Sequence, residues 1–284
     1  MPTLPIRCLF VSDLHGKTER YKKLIQMIMD ERPTAVFLGG DLLPSHLIPG
    51  GDFINGFLVT EFGRLRHTLG EDSPEVFVIL GNDDPRAEEP EMVSAEKQGL
   101  WHYVHNRRAA FGNHDVYGYS CIPPTPFQLK DWERYDVSRF VDPGCTHPHE
   151  GYRTFPVEEH ELRHATIARD LAALVNDKDL SNALCLFHAP PYQTNLDRAA
   201  LDGKMIDAAP LDVHVGSIAV RRFIETRQPL LTLHGHVHES ARITGSWKEK
   251  IGRTNAFSAA HDGPELAVIQ FEPGNPGGAA RLLI

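Results

Sequence analysis

The chain reads as an α/β fold, and three observations carry that reading. Short apolar runs of strand length recur at residues 6–12, 35–38, 75–80, 184–187 and 229–233. Segments of helical periodicity separate them, and strand–helix–strand alternation at this spacing implies parallel pairing through helical crossovers. After His238 the pattern turns to β, with strands expected at residues 242–244, 254–257 and 266–271.

The elements follow in order. Residues 6–12 form a buried strand. Tyr21, Leu24, Ile25 and Ile28 then recur at i, i+3, i+4 and i+7, an amphipathic helix with Thr18 placed to cap its start. Pro33 ends that helix, since proline removes a donor and clashes with the preceding turn. Residues 35–38 are the second strand. Phe53, Phe57, Leu58 and Leu65 suggest a helix, and residues 75–80 are the third strand. Residues 100–160 gather Tyr, Pro, Gly and His in loop-like clusters such as Pro123-Pro124 and Pro143-Gly144, with short strands at 101–104 and 116–121. Ile167, Leu171, Leu174 and Val175 share one helix face. Residues 184–187 are the fourth core strand, 218–226 a helix and 229–233 the fifth strand. With no internal repeat and no strong linker, residues 1–284 are expected to form a single domain, with 120–160 as a variable segment on the substrate side. The glycines at 274–278 read as a flexible tail.

Bulk properties exclude several classes. The chain of 284 residues is long enough for a large buried core, and 41% apolar with 24% charged residues is ordinary for a globular protein. No stretch approaches the roughly 18 apolar residues of a membrane helix. Residues 1–9 lack the zones of a signal peptide, so a cytoplasmic location without membrane attachment is expected. A net charge of −9 with no basic run argues against extended nucleic-acid binding. A small phosphorylated substrate stays open, because bound cations invert local charge. Cys8, Cys121, Cys145 and Cys185 are scattered, and Cys8 and Cys185 lie in apolar runs as small buried hydrophobes. A homo-oligomer is neither implied nor excluded.

Five polar clusters follow the apolar runs: Asp13-Leu14-His15, Gly40-Asp41, Gly81-Asn82, His188 and His236-Val237-His238. In open α/β sheets the carboxyl ends of strands are where ligands bind, and loops there let side chains from distant segments converge. Carboxylates suit hard divalent ions, and imidazole suits Zn, Mn and Fe. An Asp-x-His or His-x-His pair projects two ligand-type side chains to the same side of an extended segment. Two cations roughly 3.5–4 Å apart hold a phosphoryl oxygen and acidify a bound water. Taken singly, each cluster has a plainer reading. Asp13 alone suits a helix N-cap, Gly40-Asp41 a turn, Asn82-Asp83-Asp84-Pro85 an Asx-turn, and His188 a loop carbonyl partner.

In order and together, these residues resemble the calcineurin-like metallophosphoesterase superfamily, whose signature is Asp-x-His, Gly-Asp, Gly-Asn-(His/Asp/Cys), His and Gly-His-x-His. The resemblance runs from residue 6 to about 258. Gly81-Asn82-Asp83-Asp84-Pro85, Pro124-Thr125-Pro126-Phe127, His188-Ala189-Pro190-Pro191-Tyr192 and His214-Val215-Gly216-Ser217 resemble an Icc-like subgroup whose substrates are poorly defined. The resemblance implies a four-layer α/β/β/α sandwich of two mixed sheets flanked by helices. It implies two divalent metal ions (Mn, Fe or Zn). Asp13, His15 and His238 would hold one, Asn82, His188 and His236 the other, and Asp41 would bridge them. A metal-bound hydroxide would then be the nucleophile, with no covalent enzyme intermediate.

One position departs from the common pattern. Many members carry His after the metal-binding Asn, and here it is Asp83. An ionised Asp donates no proton and repels phosphate, so diesters with good leaving groups are expected over simple monoesters. Gly112-Asn113-His114-Asp115 matches the motif better by letter, but it follows residues 107–111 rather than an apolar strand, which favours Asn82. His114 as a substitute acid is the minor alternative.

Asn82 and His214 are candidate substrate contacts, although valines flanking His214 suit a packed histidine equally. Tyr192, Thr194 and Asn195 line a substrate entrance or merely form a loop. His234 reads as a residue that orients ligands. His147, His149, His160 and His164 read as surface positions. Amidohydrolases also use two metals, but their His-x-His comes first and their lone Asp last. A non-catalytic metal-binding or protein-interaction scaffold on the same fold is the rival from another class.

Overall fold

The computed structural model describes residues 6–45 and 52–284. The segment read above for a leader, residues 1–9, therefore lies partly outside the described residues. The first half runs β1 (Cys8–Val11), α1 (Thr18–Glu31), β2 (Ala35–Gly39), a π-helical turn (Ile54–Val59) continuing into α2 (Thr60–Leu69), β3 (Glu75–Ile79), α3 (Glu89–Lys97) and β4 (His102–Tyr103). A hairpin follows of β5 (Arg107–Phe111) and β6 (His114–Tyr119). Then come α4 (Glu159–His164), α5 (Ile167–Val175), β7 (Ala183–Phe187), the small β8 (Met205–Ile206) and β9 (Ala209–Pro210), α6 (Ile218–Arg227) and β10 (Leu231–His234). The chain ends with α7 (Ser240–Thr244), β11 (Lys248–Ile251), β12 (Thr254–Ser258), β13 (Ala267–Phe271) and β14 (Ala280–Leu283).

Two six-stranded mixed sheets result, ordered β14-β13-β1-β2-β3-β4 and β11-β12-β10-β7-β6-β5. In the first, β1 to β4 are parallel and β13 and β14 are antiparallel additions. In the second, β6, β7, β10 and β12 are parallel, with antiparallel β5 and β11 at the edges.

Alternation of side chains explains the layering. Cys8, Phe10, Phe37, Phe77 and Ile79 point between the sheets, against Val116, Leu184, Leu186, Leu233 and Phe257. Phe37 stacks on Phe77 at 5.2 Å and lies 5.7 Å from Phe271, while Phe111 meets Phe77 edge-on at 5.6 Å. Truncating one such ring costs about 3–5 kcal/mol. The intervening residues Leu9, Val11, Val36, Leu38, Val76 and Val78 face outward, where they join Tyr21, Leu24 and Ile28 of α1 and Phe62 and Leu65 of α2. On the other sheet Tyr119, Cys185 and Phe187 join Ile167 and Leu171 of α5 and Val220 and Ile224 of α6. The layers therefore run helix, sheet, sheet, helix.

Three local expectations are corrected. Thr18 is the first residue of α1 rather than its cap; Lys17 holds that position, with no side-chain hydrogen bond. Residues 242–244 are helical within α7, where Ser240 Oγ donates to the Val237 carbonyl and Gly245 at φ 75° closes the turn. The expected flexible tail holds a 3-10 turn (Pro276–Gly278) that leads into β14. All four cysteines are free.

Residues 120–160 contain little regular structure, yet buried polar groups fasten them. Lys130 and Glu133 are fully buried, 2.6 Å apart, with Thr125 donating to the Glu133 carboxylate and Lys130 Nζ to the Thr125 carbonyl at 2.8 Å. Asp136 accepts from Ser217 Oγ and from the Ile218 and Ala219 amides, so it caps α6. The Trp132 indole donates to the Asp84 carbonyl at 2.8 Å, tying the segment to the loop after β3. Among the described residues, no helix is long and apolar enough to cross a membrane.

Candidate metal centre

The registers bring the polar clusters to one level. Val11 pairs with Leu38 and Leu38 with Val78, so Asp13, Asp41 and Asn82 leave the first sheet side by side within four residues. In the second sheet Leu186 pairs with Leu233, so His188 and His236 leave together. Both sheets thus present carboxyl ends to one place, and all seven candidate ligands meet there.

The turns carrying them are unusual. Asp13 (φ 58°), His15 (48°), Asp41 (52°) and His236 (73°) adopt left-handed backbone, which costs a non-glycine residue of order 1–3 kcal/mol. The surrounding fold enforces it. The Asp13 amide donates to the Gly40 carbonyl at 2.9 Å and the His15 amide to the Asp41 carbonyl at 2.8 Å. Asp84, wholly buried, accepts from the amides of Leu42 (3.0 Å), Leu43 (2.7 Å) and Gly81 (2.9 Å), clamping the loops after β2 and β3. Two glycines are required by crowding. A Cβ on Gly81 would stand 2.3 Å from Asp41 Oδ1, and one on Gly235 would stand 2.7 Å from Asp13 Oδ2.

Asp13, His15, Asp41 and His238 offer ligand atoms that all lie within 4.8 Å of one another. His15 Nε2 and His238 Nε2 face each other at 3.2 Å, and His238 Nε2 is 3.2 Å from Asp13 Oδ1. On the other side of Asp41, His188 Nε2 meets Asn82 Oδ1 at 3.0 Å and Asp41 Oδ2 at 3.3 Å. The His188 Nδ1 faces the Gly39 carbonyl at 2.8 Å, so the proton on that nitrogen is held there and Nε2 is turned inward. The rings of His188 and His236 are 5.4 Å apart.

These groups want positive charge among them. Asp13 Oδ2 is buried and has no hydrogen-bond partner among the described residues. Burial favours the neutral form of Asp13 and Asp41, yet the neighbouring imidazoles hold both carboxyls below the usual range, Asp13 through His238 and Asp41 through His188. Burial likewise opposes charge on His188 and His238, but Asp41 pushes the first up to about 10 and Asp13 the second up to about 9. Burial, with His188 adding to it, drives His236 down to about 3, leaving a neutral imidazole. Carboxylate oxygens and inward imidazole nitrogens at these spacings fit divalent-cation binding.

The remaining sequence candidates fall elsewhere or play supporting parts. His214 Nδ1 is 2.8 Å from Asp197 Oδ1, and that carboxylate also accepts from the Gln193, Thr194 and Gly216 amides. Tyr192 donates to Asp212, and Asn195 donates to Glu249. His234 is buried, bonded through Nδ1 to the Ala189 carbonyl and through Nε2 to Thr232. Asn113 lies in the turn between β5 and β6, and His114 is 3.1 Å from the Asn182 carbonyl. β6 runs parallel to β7, so His114 sits at the opposite sheet edge, about 20 Å from His188 at strand rise. His147 and His149, read as surface positions, are half-buried, and both Nδ1 atoms lie within 3.1 Å of the buried Tyr135 hydroxyl. The rings of His160 and His164 are 4.7 Å apart on α4.

Two supporting residues are not singled out as functional in the sequence. Asp84 reads as one more acidic residue in a turn. Arg20 lies on the helix face of α1, yet it is buried and donates to the Asp13 carbonyl at 2.8 Å and the Gly263 carbonyl at 2.6 Å. Its position, one helix turn after Asp-x-His, is the only hint.

A family model described as calcineurin-like phosphoesterase matches residues 6–240. An uncharacterized protein of Methanocaldococcus jannaschii is 38% identical over 79 residues, which is 27% of this chain and only 30% of that protein's length. Among solved structures, TT1561 of Thermus thermophilus superposes with a TM-score of 0.57 at 17% identity, covering 99% of both chains. A dimetal phosphatase from Danio rerio superposes with a TM-score of 0.52 at 13% identity, covering 95% of this chain and 93% of that one. At these identities the likeness is one of fold.

Proposed function

The chain belongs to the calcineurin-like phosphoesterase family, and from that premise we propose that it is a hydrolase that uses two divalent cations to cleave phosphate esters, with phosphodiesters of small molecules or nucleotides preferred. The observation that carries this reading is the cluster of Asp13, His15, Asp41 and His238, with Asp13 Oδ2 buried and unpartnered among the described residues, extended through Asp41 by His188 and Asn82.

In this reading Asp13, His15 and His238 would hold one cation and Asn82, His188 and His236 the other, with Asp41 shared between them. Mn, Fe and Zn all suit the set. When bound, such a pair supplies Lewis acidity toward a phosphoryl oxygen and toward water. The chain's own residues do the rest. Gly39 orients His188, Asp84 fixes the turns that carry Asp41 and Asn82, and Arg20 holds the Asp13 backbone. Asn82 would also contact the substrate phosphoryl group. His214 is proposed as an outer substrate contact through the ring nitrogen that Asp197 leaves free.

The ester preference rests on Asp83. Its half-exposed carboxylate occupies the position from which an imidazole protonates a poor leaving group in many relatives, and a carboxylate there repels a dianionic monoester more than a monoanionic diester. Turnover of an aryl diester and an aryl monoester by Mn²⁺-loaded protein, with Asp41→Ala as blank, tests this. The diester should be favoured. A strong monoester preference would refute the ester assignment, and activity equal to the blank on both would refute the hydrolase.

A further inference from the structure

The carboxylate of Asp83 touches metal-ligand candidates on both sides of Asp41. Its Oδ1 accepts from Asn82 Nδ2 at 3.0 Å, and its Oδ2 lies 3.6 Å from His15 Nδ1, an electrostatic contact longer than a hydrogen bond. Its backbone amide donates to Asp41 Oδ1 at 2.8 Å. One residue thus reaches one candidate ligand from each cation position and the residue they share.

We propose that Asp83 is a positioning residue that sets the donor orientation of Asn82 and His15, in place of the proton-donor role its position suggests. An asparagine amide offers two nearly isosteric ends, and only the oxygen end ligates a cation. A carboxylate is acceptor-only, so the Asn82 amide satisfies it solely by turning Nδ2 outward, which leaves Oδ1 aimed at His188 Nε2. The same logic holds for His15. Its Nε2 already points into the cluster, 3.2 Å from His238 Nε2, so Nδ1 points outward toward Asp83. An outward carboxylate at this distance favours the tautomer with the ring proton on Nδ1 and the lone pair on Nε2, the direction in which outer carboxylates bias metal-binding histidines. The Asp83 side chain is half-exposed, so its removal opens no core cavity.

This inference rests on the cation-pair reading, and its test separates the two. Metal-stripped full-length protein is titrated with Mn²⁺ by calorimetry as wild type, Asp83→Ala, Asp83→Asn, His15→Ala and the Asp83→Ala/His15→Ala double variant. Wild type should take two cations. Asp83→Ala should weaken them by about 10–100-fold, the range for outer partners of metal ligands, with the metal-free melting temperature unchanged. Asp83→Asn, whose amide both donates and accepts, should fall between. In the His15→Ala background the Asp83→Ala loss at the His15 position should vanish while the loss at the Asn82 position persists, a non-additivity that a merely structural role does not produce. Equal Mn²⁺ affinity in Asp83→Ala and wild type overturns the inference and leaves the cation pair standing. A wild-type chain that takes no Mn²⁺ overturns both.

Discussion

Replacing Gly81 with alanine adds one carbon at the most crowded point of the centre. That carbon would stand 2.3 Å from Asp41 Oδ1, 2.4 Å from the Asp41 amide nitrogen and 2.7 Å from His188 Cε1, where ordinary contact begins at 3.4 Å. Gly81 lacks the left-handed backbone of its neighbour Gly40, so alanine's own conformation is tolerated and the cost is steric. The obstructing atoms include backbone, which cannot swing aside as a flexible side chain would. Asp41 must retreat by about 1 Å, and misplacement of that size in a catalytic array costs about 100-fold in turnover. Overpacking adds about 1–3 kcal/mol of destabilisation. Gly63→Ala in α2 is the control, because nothing lies within 4 Å of its added carbon. It should gain about 0.5–1 kcal/mol and leave activity unchanged. Aryl-diester turnover of Mn²⁺-loaded protein and urea melts read both effects. Wild-type turnover and stability in Gly81→Ala would refute the crowding analysis.

Other outcomes follow from the supporting residues. Asp84→Asn replaces one of the two oxygens that three buried amides share with an NH2 donor and should destabilise by about 1–3 kcal/mol per amide left unpaired; a urea melt within error of wild type would contradict the clamp. Lys130→Met strands the buried Glu133 carboxylate and should cost about 3–5 kcal/mol, whereas Lys130→Met combined with Glu133→Leu should recover much of that; additive losses would count against a buried pair. Acid should act through His105, whose Nδ1 accepts from the Ser120 amide and whose imidazole burial, helped by Arg86, drives down to about 3. The folded chain stays neutral there while the unfolded chain gains a proton below about 6.5, so stability present at pH 7 is lost as pH falls, by about 2 kcal/mol at pH 5. In urea melts His105→Gln should lose less than wild type between pH 7 and pH 5 by about that amount, and equal losses would refute the assignment.

The parts of the fold legible in the chain are those whose burial leaves a local signature. β1, β2 and β7 are covered on both faces and read as unbroken apolar runs, while β10, equally buried, is interrupted by Thr232 and His234. β5 is an edge strand with Arg107, Arg108 and Ala110 exposed, and β11 reads Lys-Glu-Lys-Ile, so neither carries a hydrophobic period. Residues 242–244 mislead because three residues cannot distinguish period 2 from period 3.6, and the deciding hydrogen bonds come from Ser240 and Gly245 outside that window. At the centre, the ligand-type residues were visible as short motifs behind strands, since each motif is local. What holds them was not. Asp84 joins amides some forty residues apart, and Arg20 reaches from Asp13 to Gly263, partners that adjoin only once both sheets are assembled. The role of Asp83 was hidden for the same reason, because its contact with His15 spans two loops.

The strand that delivers Asp13 and His15 takes its two neighbours from opposite ends of the chain. β2 follows almost at once, but the other edge of β1 is covered only by β13, whose Phe271 pairs with Cys8. During synthesis β1 waits for more than 250 further residues before its second partner exists. Through that interval it offers unpaired backbone groups flanked by Leu9 and Phe10, the kind of edge on which nascent chains associate. Removing residues 266–284 would make that interval permanent, so the truncated chain should be recovered as aggregate rather than as a smaller folded protein. The C-terminal hairpin lies outside the motifs of the centre, yet it decides whether the first of them reaches a folded state.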